Sequence, residues 1–426
     1  MDTRETPQLS VVIPTLNEGH NIGPLIERLW ATIKALELSV EIIVVDGGST
    51  DQTWQVAEQL GARCLLQRRL GYAGALREGF SAAGGEYILT LDSDLSHPPE
   101  LFKEMWPLRS DADIIIASRF ARGGRSDAPL SRHLLSKVLN AVFSTCLSLP
   151  IKDLSSGYRL YKRSALNLGA YHPENFNILQ EVIVRAYSEG YNIKEIPLHY
   201  EERASGSSHV SLVKFAISYL PTLYRLWKLR NSISTADYEY RSYYSRHPLQ
   251  RYWIRKRLSL VKRFLDIPQR VLDVGSGSNY LAATTPGIIA LDIEPKKVRF
   301  MARTQAVAQL GDAQNLPYPD QSFDQVILSE VLPYVGDLGA SLDEARRVLK
   351  NGGKLIICVP DSRRLAWRIF GTLYRFLPNV HASQVKVRHR FTRINLVERL
   401  ANRGFRALKY SYICGAELVI VFKKVD

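Results

Sequence analysis

Two passages constrain this chain more than any other feature: an apolar run breaking at LSVVIPTLNE, residues 9–18, and a second breaking into glycines at RVLDVGSGSN, residues 270–279. Each sets a strand against a turn and opens a series of further apolar runs. In the first series these are Val11 to Ile13, Ile42 to Val45, Tyr87 to Leu91 and Ile114 to Ala117, separated by segments of helical period. That is the pattern of a parallel sheet buried on both faces. In the second they are Val271 to Val274, Ile288 to Leu291, Gln325 to Leu328 and Lys354 to Val359. Both halves read as βαβ stacks, so the class is α/β with at least two domains, as 426 residues also require.

The stretch between them changes character. Arg241, Arg246, Arg251, Arg255, Lys256, Arg257, Lys262 and Arg263 alternate with Tyr240, Tyr243, Tyr244, Tyr252 and Trp253, and no acid falls between Arg241 and Arg263. We therefore expect a domain over 1–231, a basic aromatic linker over 232–265 and a second domain over 266–426. The formal charge of +14 calls for an anionic partner, and nucleic acid, anionic lipid and phosphorylated substrates all satisfy it. Nucleic acid is the disfavoured choice, because the aromatics cluster with aliphatics at helical spacing and not on a strand platform.

Four cysteines, Cys64, Cys146, Cys358 and Cys414, lie far apart without a CxxC pair, which predicts neither a zinc ribbon nor a disulfide framework and fits a reducing, cytoplasmic setting. No secretory signal is expected at MDTRETPQLS, and no stretch of about eighteen uninterrupted apolar residues occurs. The longest, Leu212 to Leu229, is broken by Lys214, Pro221, Arg225 and Lys228. It suits a helix lying at the inner face of a membrane, with cations snorkelling beside Phe215, Tyr219, Leu223 and Trp227, better than one crossing it.

Chemistry concentrates at two acidic strand tips. Asp46 opens DGGSTDQT and Asp92 opens DSDLSHPPE. Open α/β sheets bind ligands at the carboxyl ends of their strands, so the two tips, expected on neighbouring strands, face one crevice. Period-two strand geometry would aim Asp92 and Asp94 the same way, toward a divalent cation that bridges a departing diphosphate.

Residues 8 to 230 resemble family 2 glycosyltransferases, specifically the dolichyl-phosphate and polyprenyl-phosphate mannosyltransferases, through VVIPTLNE, VVDGGSTDQT, GYAGALREGF, DSDLSHPPE, SRF, SSGYRLYKR, QEVIVRAYSEGY and EIPLHYEER. The resemblance implies a GT-A fold and inversion at the sugar carbon. It implies Pro14, Asn17, Glu18 and Asp46 at the nucleotide, and Asp92 and Asp94 at the diphosphate and Mg2+ or Mn2+. Ser96 stands where some relatives carry Gln, and His209 where relatives place a lysine. The donor is then a nucleotide sugar, GDP-mannose being the family's commonest and a UDP-sugar the alternative, and the acceptor a polyprenyl or dolichyl phosphate. A lipid monophosphate is already ionised and needs charge compensation in place of a base, a role open to Arg119, Arg132, Arg159 and Arg203. Glu181 corresponds to a family carboxylate.

In the second unit, VLDVGSGSNY lacks the third glycine of a dinucleotide site, Tyr280 standing there, and Asp273 beside the turn would repel pyrophosphate while attracting a sulfonium. With LDIEP, QLGDAQNLPYPDQSFDQVILSEVLPYV and RRVLKNGGKLIICVP, this region resembles class I S-adenosylmethionine-dependent methyltransferases. That implies a Rossmann-like domain with Asp273, Gly275 and Gly277 around the methionine moiety of S-adenosylmethionine, Asp292 on the ribose, and Asp312 with Ala313 near adenine. The arginine- and aromatic-rich residues 361–391 follow a strand where an insertion shapes the acceptor pocket. No catalytic base is identified, since methyl transfer rests largely on alignment.

These readings together predict a bifunctional, membrane-peripheral enzyme that loads a sugar onto a lipid phosphate and methylates the glycan. Two alternatives stay open: a glycosyltransferase acting on a soluble hydroxyl with a degenerate methyltransferase domain, and an RNA-binding methyltransferase. Oligomeric state is not legible.

Overall fold

The computed structural model describes residues 6–69, 71–166, 177–201, 212–278, 280–304, 306–376 and 387–425. The chain forms two compact units, Met1–Tyr187 with Tyr191–Arg230, and Ser188–Gly190 with Asn231–Asp426.

The first unit is built on strands β1 (Leu9–Thr15), β2 (Val40–Asp46), β3 (Arg63–Leu66), β4 (Tyr87–Thr90), β5 (Ile114–Ser118), β6 (Arg125–Ser126), β7 (Arg159–Lys162), β8 (Ile193–Pro197) and β9 (His199–Tyr200). Seven of them form one sheet in the order β3-β2-β1-β4-β7-β5-β8, while β6 and β9 pair separately. Strand alternation divides the core by face. Val12, Ile43, Val45 and Ile88 pack on one side with Leu76, Phe80 and Phe143, and Val11, Ile13, Ile42, Val44 and Leu89 on the other with Ile22, Leu29 and Phe102. The continuous apolar runs follow from this two-sided burial.

Two expectations change. The sheet is mixed, because β7 runs antiparallel to both β4 and β5. The acid-tipped strands are not neighbours either: β1 stands between them, pairing in parallel with β2 and with β4.

The second unit holds β10 (Val271–Val274), β11 (Ile288–Asp292), β12 (Val307–Leu310), β13 (Phe323–Ser329), β14 (Leu349–Pro360), β15 (Phe405–Ile413) and β16 (Glu417–Lys424), in the order β12-β11-β10-β13-β14-β16-β15. Here β10 to β14 are parallel, and β16 and β15 close one edge antiparallel. The order reverses between β10 and β13, which is where a doubly wound sheet opens its ligand crevice. The basic aromatic segment folds into helices Tyr238–Tyr243 and Pro248–Phe264, and Leu260, Val261 and Phe264 enter the core of this unit beside Val271, Ile288 and Ile356. Arg251, Arg255, Lys256, Lys262 and Arg263 line the outer face of an amphipathic helix whose inner face is packed, while Arg257 turns to the buried Glu417.

Candidate functional sites

At the carboxyl edge of the first sheet the loops after β1 and β2 are tied together. Asn17, held at φ 56°, accepts the Thr50 amide at 2.8 Å through its side-chain oxygen, and its own amide donates to Ser49 Oγ at 2.8 Å. The Glu18 amide donates to Thr53 Oγ1, and the Glu18 carboxylate accepts from Asn21 at 2.7 Å. Asp46, buried at the end of β2, accepts from the Ser49 amide at 3.0 Å and the Ser49 hydroxyl at 2.6 Å, shaping the DGGS turn. Ser93 Oγ donates to the Pro14 carbonyl at 3.1 Å, joining this pair of loops to the DSD segment. Pro14, Asn17, Glu18, Asp46 and the DSD loop therefore share one sheet edge.

The DSD carboxylates are not placed by the strand pleat, because β4 ends at Thr90 and Leu95 has φ 62°. Loop hydrogen bonds place them. Tyr72 donates to Asp92 Oδ1 at 3.0 Å, and Ser96, through its amide at 3.1 Å and its hydroxyl at 2.5 Å, donates to Asp94 Oδ1. The Asp92 amide donates to His97 Nδ1 at 3.1 Å, so that nitrogen is an acceptor and its 3.9 Å approach to the Asp92 carboxylate is not an ion pair. Burial, and next the Asp92 charge, hold the Tyr72 hydroxyl well above its ordinary value, so it stays a donor. Gly157 is required at this spot: a Cβ there would lie 2.6 Å from the Tyr72 hydroxyl and 2.9 Å from Asp92 Oδ1.

Among the described residues no group of three or more His, Cys, Asp and Glu forms a ready metal cage. Two carboxylates, Asp94 buried and Asp92 with 32% of its side chain exposed, fit magnesium or manganese completed by phosphate oxygens.

The predicted cations divide. Arg119 grips the fully buried Asp153 with Nε and Nη2 at 2.8 Å each, and Nη2 also reaches Ser155 at 2.7 Å. Burial disfavours its charge, but Asp153 outweighs burial and raises Arg119 above its ordinary value, with the Asp92 charge adding a smaller pull. Arg132 is exposed on the helix Leu130–Cys146. Arg159 does not line a crevice: it is fully buried on β7, its guanidinium donating to the carbonyls of Leu179 at 2.7 Å and Leu154 at 2.8 Å. It braces a loop against the helix Ile178–Ser188, because backbone carbonyls of the packed interior compete successfully for its donors. Arg203 and His209 lie outside the described residues. Glu181 is buried between Arg185 and Arg225, each at 2.9 Å, so it is an ion-pair partner.

In the second unit Asp273 is buried within β10, and Gly275 and Gly277 follow at φ 63° and 58°, backbone that glycine adopts without strain. The Gly277 amide donates to Asp292 Oδ2 at 2.7 Å, and burial, above all, raises Asp292 beyond the usual carboxylate range. Asp312, after β12, turns onto the Gln314 amide at 2.9 Å with Ala313 beside it, at the edge where Asp292 pairs with Leu310.

Sequence reasoning missed Glu239. Its Oε2 accepts from the Ser278 amide at 3.0 Å and hydroxyl at 2.7 Å, and Lys297 Nζ donates to it at 2.7 Å. Burial opposes its charge, but Lys297 and the Ser278 donors hold it below the ordinary range. A Cβ on Gly277 would lie 2.6 Å from this carboxyl carbon. With Asp292 and Glu239 taking the loop amides, an anionic pyrophosphate finds few donors there, whereas a cationic sulfonium bearing an amino group suits the acidic rim. The residues present thus fit S-adenosylmethionine. The signal available was an acid two positions before an acid-free basic run. Tyr72, His97, Asp153 and Gly157 were likewise not singled out, although GYAGALREGF and SSGYRLYKR contain two of them.

Residues 10–169 match the Glycosyl transferase family 2 profile and residues 272–357 the Methyltransferase domain profile. The chain is 32% identical over 238 residues to the dolichol-phosphate mannosyltransferase of Pyrococcus furiosus, covering 53% of this chain and 65% of that relative's length. It is 31% identical over 228 residues to the polyprenol monophosphomannose synthase of Mycolicibacterium smegmatis, covering 49% of this chain and 83% of that one. Among solved structures, glucosyl-3-phosphoglycerate synthase of Mycobacterium tuberculosis, in complex with Mn2+, UDP and glucosyl-3-phosphoglycerate, aligns over 51% of this chain and 80% of its own at 21% identity, with a TM-score of 0.40. A GT-A-like domain is followed by a Rossmann-like methyltransferase domain, and the chain belongs, through its first unit, to glycosyl transferase family 2.

Proposed function

We propose that the first unit transfers mannose from GDP-mannose, with inversion, to a polyprenyl or dolichyl phosphate at a membrane surface, and that the second unit methylates the resulting glycan with S-adenosylmethionine. The observation that carries the first part is the bond from Ser93 to the Pro14 carbonyl, which joins the DSD loop to the interlocked loops after β1 and β2. Asp92 and Asp94 would hold magnesium or manganese there, and such an ion, when bound, neutralises a leaving diphosphate. Pro14, Asn17, Glu18 and Asp46 orient the nucleotide, and the exposed Arg132 compensates the acceptor phosphate, while Arg119 is held by Asp153.

A lipid phosphate is favoured over a hydroxyl acceptor because an ionised phosphate needs no base and Glu181 is committed to two arginines. The membrane part is supported by the helix Leu130–Cys146, whose outward side shows Leu130, Leu134, Val138 and Val142 at four-residue spacing beside Arg132 and Lys137. No helix among the described residues is long and apolar enough to cross a membrane. The RNA-binding alternative loses ground, since the basic aromatic segment contributes to the core of the second unit.

The test is the full chain with sugar-labelled GDP-mannose or UDP-glucose, manganese and polyprenyl phosphate in detergent, followed by organic extraction. Label passing to the lipid phase from GDP-mannose, and not after Asp92→Ala, supports the reading. Transfer only to soluble hydroxyl compounds overturns it.

A further inference from the structure

The second unit carries a carboxyl pair, half-buried Glu330 and fully buried Glu417, that the cofactor reading does not use. Glu330 follows β13 directly, with φ 60°, and its amide donates to the Cys358 carbonyl of β14 at 2.9 Å. Its neighbour Val331 packs on the cofactor loop, since a Cβ on Gly275 would come within 2.4 Å of that valine. Glu330 therefore sits at the carboxyl edge beside the reversal between β10 and β13, where the crevice opens. Glu417, fully buried at the start of β16, lies beside it, since both carboxylates approach the guanidinium of Arg257.

Glu417 is fixed as the charged member. Arg257 grips it through Nε, and through Nη2 at 2.9 Å, and Trp253 donates its indole N–H to the same carboxylate. Arg257 comes only to 3.8 Å from Glu330, whose Oε1 is closed off from solvent and makes no hydrogen bond. Trp253 also packs edge-on against Phe370, ring centroids 5.3 Å apart, so the pair lies beside the segment expected to shape the acceptor pocket. Proteins rarely keep such an arrangement for stability, because two carboxyls sharing one arginine lose more by desolvation than they gain by attraction.

Building on the cofactor assignment above, we infer that Glu330 is the general base of the methyl transfer and that the acceptor is an uncharged hydroxyl of the kind a sugar carries. An acidic pair repels a carboxylate or phosphate acceptor but receives the proton that a hydroxyl must lose. The acceptor oxygen bonds to the methyl carbon, the carbon–sulfur bond breaks with its electron pair left on sulfur, and the hydroxyl proton passes to Glu330 and then to water. Glu417 and Arg257 are positioning residues. Burial, and then the Glu417 charge, hold Glu330 well above the usual carboxylate range against the opposing pull of Arg257. The other titratable group facing it is the Cys358 thiol of β14, itself pushed up by burial. Transfer therefore rises as pH climbs through the elevated Glu330 value.

The experiment uses the full chain, methyl-labelled S-adenosylmethionine and excess methyl mannopyranoside as the probe across a pH series, with S-adenosylhomocysteine binding measured by calorimetry on every variant. Glu330→Gln should lower methyl transfer about a hundredfold while S-adenosylhomocysteine affinity stays within about twofold. Glu330→Asp should restore part of the rate. Glu417→Gln should move the pH midpoint downward, because the repelling charge is gone. Wild-type rates in Glu330→Gln with intact binding overturn the base, and methylation of ethanolamine in place of the mannoside, or of neither probe despite binding, overturns the hydroxyl acceptor. Failure of wild-type protein to bind S-adenosylhomocysteine overturns the cofactor reading itself, and this inference with it.

Discussion

Tyr72 and Asp92, twenty residues apart, meet through a 3.0 Å hydrogen bond beneath Gly157, where any side chain would touch both. Gly157→Ala should push Asp92 off its position and lower sugar transfer far more than it lowers stability. Tyr72→Phe keeps the space and removes one donor to a charged group, costing roughly 2 kcal/mol of transition-state stabilisation. Comparing kcat/KM of the two variants separates crowding from the lost bond.

Arg119 and Asp153 form a second such pair, gripping through two parallel bonds. Burial works against the Asp153 charge, yet Arg119 holds the carboxyl below its ordinary value. The pair therefore contributes stability at pH above the unfolded aspartate value, about 3.9, and loses it as pH falls through the lowered one. Asp153→Asn should cost about 3 kcal/mol at neutral pH and flatten the acid limb of the profile, read from urea midpoints of the first unfolding transition.

Chelating divalent metal with EDTA should silence sugar transfer, and manganese should restore it. Asp94→Asn should lose about a hundredfold in kcat and weaken manganese-dependent binding of GDP, followed by calorimetry. Unchanged turnover in EDTA would remove the metal from the mechanism.

Glu239→Gln keeps the shape of the glycine-loop cap but drops its charge beside Lys297. S-adenosylhomocysteine should bind about tenfold more weakly, with the melting temperature of the apo protein lowered only slightly. Lys297→Met should show the same direction.

Replacing Leu134 and Val138 with serine removes two exposed apolar side chains from the helix Leu130–Cys146. Flotation with anionic vesicles should fall severalfold, while GDP binding is unchanged. Equal flotation would move the lipid contact elsewhere.

Much of the architecture was legible because strand burial and turn chemistry are local. Val11 to Ile13 and Val271 to Val274 announce buried strands by continuous apolarity, and Asp46 and Gly275 announce turns by what their side chains, or the lack of one, permit. The strand carrying Arg159 was not legible, since four residues inserted antiparallel between β4 and β5 leave no distinctive period. The basic aromatic segment misled for a related reason. Cations at helical spacing look alike whether the other face meets lipid, nucleic acid or the chain's own core, and only the packing of Leu260, Val261 and Phe264 distinguishes them.

By itself the amino-acid order determined two α/β units, their families and the acidic turns at their strand ends, because those properties depend on neighbours a few positions away. Tertiary structure alone decided which charges are spent and which are available. Arg119 meets Asp153 across 34 positions, Arg257 meets Glu417 across 160, and Arg159 turns to the carbonyls of Leu179 and Leu154. The fate of a charge is set by whatever the fold brings within about 4 Å and by how much water it leaves there, and neither is written in local spacing.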